Sequence, residues 1–157
     1  MRSLPFHHHN NCPRCPVVGA EDTPGDEFYE ILSLRFNIRI ARELCRDHVR
    51  HLVNPAPLER WLEHARIDWE HVDHLPPGLG PGIMATLPGG CGMPVIDGNH
   101  RAARALRKRY EVFAFVLDES ETLELLRRSM GHSIADHYWE PMLQSEPHPN
   151  DVQKGEQ

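Results

Sequence analysis

Two groups of residues in this chain have the types and spacing to do chemistry. The first is Asp97-Gly98-Asn99-His100-Arg101, set between the apolar Pro94-Val95-Ile96 and the small-residue stretch Ala102-Ala103-Arg104-Ala105-Leu106. A short strand that turns at Asp-Gly and opens into a helix leaves the first helical N–H groups without internal partners. Asn99 is a favoured N-cap type at such a start. The helix dipole and those amides attract anions, phosphate above all. His100 and Arg101 add donors in the first turn, and Arg104 adds another three residues on. Gly98 permits close backbone approach, and Asp97 has the chemistry to orient His100 or to help hold a Mg2+ ion bridging phosphates. The plainer alternative for Asp97 is a turn carboxylate bonding its own backbone.

The second group is Cys12-x-x-Cys15 together with Cys45-x-x-His48. Each half has the short spacing that brings two ligands to one metal, and together they offer Cys3His, a closed tetrahedral set for structural Zn2+. Cys45 and His48 lie three apart on an expected helix and so share a face. His51 and the His7–His9 run are alternative fourth ligands. Against this stand a buried core cysteine at Cys45 and a loose loop or redox pair at Cys12 and Cys15.

The elements that must position these groups follow from periodicity. Residues 32–40 alternate strictly, with Leu32, Leu34, Phe36, Ile38 and Ile40 apolar, which predicts a half-buried strand. A helix is expected over 41–53, and a second from Pro57 through Trp61 to about 65. Residues 67–75 read as a strand, 76–82 as a Pro/Gly loop, and 83–87 with 93–96 as a hairpin. The helix behind the Asp-Gly turn runs over 99–109, with alanines small enough to lie close to a sheet. A buried strand follows over 111–117, then a helix over 120–130 with Ser120 as N-cap. Tyr138 and Trp139 suit either a lid or a closed core edge. Residues 1–27 show no periodicity, and beyond Trp139 the chain turns polar, its last dozen residues expected to be disordered.

Composition bounds the rest. The 157 residues suffice for one core plus tails, and no apolar run approaches the length needed to span a bilayer, so a cytoplasmic protein with no membrane partner is expected. The formal net charge of −6 argues against sequence-independent nucleic-acid binding. Positive charge is nonetheless concentrated at Arg101, Arg104, Arg107, Lys108 and Arg109, which suits a small phosphorylated ligand. Four cysteines without a secretory start point to metal or thiol chemistry before disulfides.

Asp97-Gly98-Asn99-His100-Arg101-Ala102-Ala103 between two apolar strands resembles the signature of the ParB/sulfiredoxin-like superfamily. The order of expected elements over roughly 32–128 agrees with that resemblance. It implies an α+β fold, a small mixed sheet with helices packed around it. The chain then divides into an irregular segment 1–27 with the possible zinc ligands, a ParB/sulfiredoxin-like domain 28–131, and a C-terminal extension 132–157. It also implies that Gly98, Asn99, His100, Arg101 and Arg104 hold the phosphates of ATP or another nucleoside triphosphate with Mg2+. Sulfiredoxins carry a cysteine where this chain has Asn99, so sulfinic-acid reduction does not carry over. The turn is most similar to that of the free-serine-kinase-like branch, which implies an ATP/Mg2+-dependent phosphotransferase or NTPase acting on a small hydroxyl substrate. Asp97 and His100 are then the catalytic residues, with a carboxylate base drawn from Asp68, Glu70 or Asp73. The alternatives are a DNA-associated ParB-like accessory factor or nuclease, and a non-catalytic nucleotide- and zinc-binding interaction module.

Overall fold

The chain was analysed as a computed structural model that describes residues 26–75 and 80–145. The strict alternation expected to make one strand over 32–40 is divided between two elements. β1 (Phe28–Ile31) and β2 (Leu34–Asn37) pair antiparallel, Phe28 opposite Asn37 and Ile31 opposite Leu34. Leu32, at φ 57 and 84% exposed, forms the turn between them. The alternation then runs on into helix α1 (Ile38–Leu44), because Asn37 accepts the Ile40 N–H at 3.2 Å and caps it. This helix is shorter than the expected 41–53; the chain leaves it at Cys45 and forms the two-residue strand β3 (His51–Leu52).

α2 (Pro55–His64) opens with prolines in its first turn behind an Asn54 cap. Residues 67–75, expected as a strand, instead form helix α3 (Trp69–His74). Asp68 caps it by accepting the His71 N–H at 3.2 Å, a local bond that favours the helical start. β4 (Gly82–Ala85) and β5 (Val95–Asp97) form the expected antiparallel pair, and α4 (Asn99–Lys108) leaves β5 at once. β6 (Phe113–Leu117) lies parallel to β4, completing a four-stranded sheet in the order β3-β6-β4-β5. α5 (Glu119–Met130) is capped by Asp118, not Ser120, in a reciprocal capping box with Glu121. Helix α6 (His132–Leu143) follows, with Ala135 and Trp139 buried, so Trp139 closes a core edge. The class is α+β, a mixed sheet with helices, as expected.

Period-two burial on the central strands sorts the core into two clusters. Ile83, Ala85, Ile96 and Leu117 face one side, with Phe36 of β2, Ile38 of α1, Leu125 and Leu126 of α5 and Trp139 of α6. Val95 faces the other side, with Met84 packed beside it, against Leu58 and Leu62 of α2, Val72 of α3 and Ala102 and Ala103 of α4. The Asp-Gly turn sits where these two clusters meet at the end of β5. Among the described residues no helix is long and apolar enough to cross a membrane.

Candidate functional site

Gly98 is the N-cap of α4, at φ 92 and ψ 21. A side chain there would be strained by the dihedral alone, and its Cβ would come within 3.0 Å of both the Gly82 Cα and the Arg101 guanidinium. Gly82 is constrained from the other side, since a Cβ on it would stand 2.5 Å from the Asp97 carbonyl oxygen. Two glycines thus let β4 and the turn approach closely.

Asn99, expected to cap the helix, is its first residue instead. Its side chain is committed elsewhere: Oδ1 accepts the Trp61 indole N–H at 2.7 Å, and Nδ2 donates to the Val95 carbonyl at 2.9 Å. Burial pushes the Tyr29 phenol up, and the Asn99 side chain pulls it partly back. No side chain caps α4, and its first helical bond runs from the Ala102 N–H to the Gly98 carbonyl. The first turn therefore presents amides toward whatever occupies the space in front of it.

That space is a cleft of about 470 Å3 whose wall includes Gly98, Asn99, His100 and Arg101 from the turn, Glu27 and Tyr29 from the N-terminal hairpin, and Trp61 and Arg66 from the α2 side. Asp97 is buried at its base. Its Oδ2 accepts from Arg42 Nε at 3.1 Å and Nη2 at 2.9 Å, with Arg101 Nη2 at 3.3 Å. Asp97 thus holds two guanidiniums in place, where the plainer alternative had it bonding its own backbone. Arg101 also reaches the Pro81 carbonyl at 3.5 Å. His100 accepts the Asp68 backbone N–H on Nε2 at 3.1 Å and stands edge-on to His71 with ring centroids 5.1 Å apart. Burial lowers its pKa, partly offset by Asp68, so the imidazole favours its neutral form at pH 7. Arg104 lies on a different surface of α4, outside the cleft, and lines a second cavity.

The carboxylates expected to supply a base do not line this cleft. Asp68 caps α3, Asp73 pairs with Arg107, and Glu70 is exposed on α3. Besides Asp97 at its base and the exposed Glu30, the acid lining the cleft is Glu27. It is 9% exposed, its Oε2 is buried without a hydrogen-bond partner among the described residues, and its Oε1 lies 3.9 Å from Arg42 Nη2. Burial first, then the negative charge of Asp97, pushes its pKa up to about 7 against the pull of Arg42 and Arg101. Its backbone is fixed because the Ile38 N–H donates to the Glu27 carbonyl at 2.8 Å. Nothing in the sequence marked Glu27, which sits at the edge of an aperiodic stretch; only the return of α1 to β1 places it opposite Asp97.

Cys12 and Cys15 lie outside the described residues. Of the other two expected zinc ligands, Cys45 is packed in the larger core cluster, where burial pushes its thiol up to about 12. His48 Nε2 lies 2.7 Å from Glu121 Oε2. Among the described residues no three His, Cys, Asp or Glu groups gather as a metal site.

No protein-family model, curated protein or solved structure matches this chain.

Proposed function

We propose that this protein binds a nucleoside triphosphate across the 97–101 turn and transfers its terminal phosphoryl group to a small hydroxyl compound. The observation that carries the reading is the uncapped first turn of α4, open to a cleft that also holds the buried carboxylate of Glu27, one oxygen of which has no hydrogen-bond partner among the described residues. Phosphates fit the amides of that turn and the Arg101 guanidinium, which Asp97 holds at a set angle. Tyr29 and Trp61 give the same cleft flat apolar walls suited to a base or ribose. Neutral His100 serves as a hydrogen-bonding group beside the phosphates.

Phosphoryl transfer asks a protein mainly for positioning and charge neutralisation. The acceptor oxygen forms a bond to the γ-phosphorus while the bond from that phosphorus to the β,γ-bridging oxygen breaks, and the diphosphate leaves. The hydroxyl proton passes to Glu27, whose pKa near 7 matches a base working at neutral pH. Mg2+, bound with the phosphates, supplies further charge neutralisation. Asp97 does not fit as its ligand, because two guanidiniums already occupy its Oδ2. Asp97 orients Arg101 in this reading.

Calorimetric titration of the full chain with ATP, CTP and GTP, each with Mg2+, tests this. Saturable binding of one triphosphate, weakened roughly ten- to a hundredfold by Arg101→Gln, is expected from the loss of one charge-assisted contact of about 1.5–3 kcal/mol. Absence of binding by all three would overturn it. A ParB-like accessory factor would instead bind DNA without turnover, and a non-catalytic module would bind nucleotide without phosphoryl transfer, whether or not Glu27 is replaced.

A further inference from the structure

Arg101 and Gly98 border two cavities. Besides the cleft in front of the first turn, a cavity of about 260 Å3 lies between α4, α2 and the sheet, and the same two residues form its edge. Its walls are apolar, built by Val53, Leu58, Met84 and Val112. It exists because α4 presents alanines there, Ala102 and Ala105, where larger side chains would fill the space. Around this apolar interior stand three guanidiniums, those of Arg50, Arg101 and Arg104, against the single carboxylate of Glu111. The Arg50 guanidinium lies over the Phe113 ring, 4.2 Å from its centroid, and Arg104, half-buried, makes no hydrogen bond or ion pair among the described residues.

We infer that this cavity holds the phosphoryl acceptor, and that the acceptor is a hydroxy acid with an apolar body, an inference that rests on the nucleotide reading above. An apolar body gains by leaving water for the surface built by Val53, Leu58, Met84 and Val112, whereas a small polar acceptor such as free serine gains nothing from it. The unpaired guanidinium of Arg104, with Arg50 beside it, matches a carboxylate in charge and planar geometry. The shared edge at Gly98 and Arg101 places the acceptor hydroxyl next to the phosphates, so the ligands meet at the turn from two sides. That hydroxyl oxygen takes the γ-phosphoryl group, and its proton passes to Glu27 as the diphosphate departs.

The test is calorimetry and 31P NMR on the full chain with 3-phenyllactate, which carries ring, hydroxyl and carboxylate. Lactate lacks the ring and 2-phenylethanol lacks the carboxylate. Saturable binding of 3-phenyllactate is expected, at least tenfold tighter than either comparison compound. Ala105→Leu, which fills the cavity, and Arg104→Gln, which removes the unpaired charge, are each expected to weaken it at least tenfold. In the presence of ATP and Mg2+, a new phosphate-ester resonance is expected from 3-phenyllactate and not from 2-phenylethanol. If ATP binds but 3-phenyllactate does not, or binds equally well to both variants, the acceptor assignment is overturned and the nucleotide reading stands. If no triphosphate binds, the nucleotide reading fails and the acceptor role fails with it.

Discussion

At the scale of single residues, Glu27 is the carboxyl of the cleft whose chemistry departs far from its solution behaviour. Its carboxyl, ordinarily at 4.5, is pushed up to about 7 by burial and by Asp97. Between those two values the folded chain holds a proton that the unfolded chain has lost. Stability therefore falls as pH rises through that window, and the full penalty is present above 7. A displacement of this size corresponds to something on the order of 3 kcal/mol. Glu27→Gln removes the titration, so thermal unfolding should show a variant about 5–10 °C more stable than wild type at pH 8 and little different at pH 4.5. The same substitution should abolish phosphoryl transfer while leaving triphosphate affinity within a few-fold. A wild-type melting temperature that does not change between pH 5 and 8 would show that Glu27 is already ionised when folded.

At the scale of elements, the site depends on contacts that hold α2, β1 and α4 around one asparagine. The Trp61 indole donates to Asn99 Oδ1 at 2.7 Å, and Asn99 in turn donates to the Val95 carbonyl. Trp61→Phe keeps an aromatic wall but strands a half-buried acceptor, an expected cost of about 1–2 kcal/mol, or roughly 2–8 °C in melting temperature. Triphosphate affinity should fall as well, since a released Asn99 side chain competes for the first-turn amides. Unchanged affinity in a destabilised variant would confine the pair to a structural role. The sequence made the strand–turn–helix around 94–106 legible because apolar run, Asp-Gly and alanine stretch each point the same way. It concealed the cap: Asn99 is the right residue type at the right place, and only the tertiary contact with Trp61 removes it from that task. The hairpin was hidden because its turn uses Leu32, which no turn preference favours, and because the apolar Ile38 and Ile40 continue a strand-like period inside a helix. β3 has two exposed residues and no pattern at all; it exists by pairing with β6.

At the scale of the whole molecule, the formal charge of −6 and the cationic turn pull in opposite directions, and salt separates them. A phosphate held by the first-turn amides and by Arg101, itself only 20% exposed on its side chain and locked to Asp97, is shielded from screening by mobile ions. The general repulsion between an acidic protein and a triphosphate is long-range, and added salt weakens that repulsion too. The two effects offset each other, so triphosphate affinity should change by no more than a few-fold between about 0.05 and 0.5 M salt, near the limits where the Debye length falls from beyond to well within a contact distance of 10 Å. A protein that grips a duplex behaves otherwise, because each neutralised phosphate adds about −0.9 to the slope of log affinity against log salt. Arg104, Arg107 and Lys108 lie along one helix with Arg109 at its C-cap, enough to give such a slope if they faced a backbone. Arg107 is instead paired with Asp73 and stacked at 4.4 Å on the Trp69 ring, and Arg104 faces the apolar cavity. Measured on the same preparation, triphosphate binding with a log–log slope shallower than about −1, and duplex binding too weak to detect at 0.15 M salt, is the expected pair of results. A slope of about −3 or steeper for duplex DNA would move the arginines of α4 from a small-ligand site to a nucleic-acid surface.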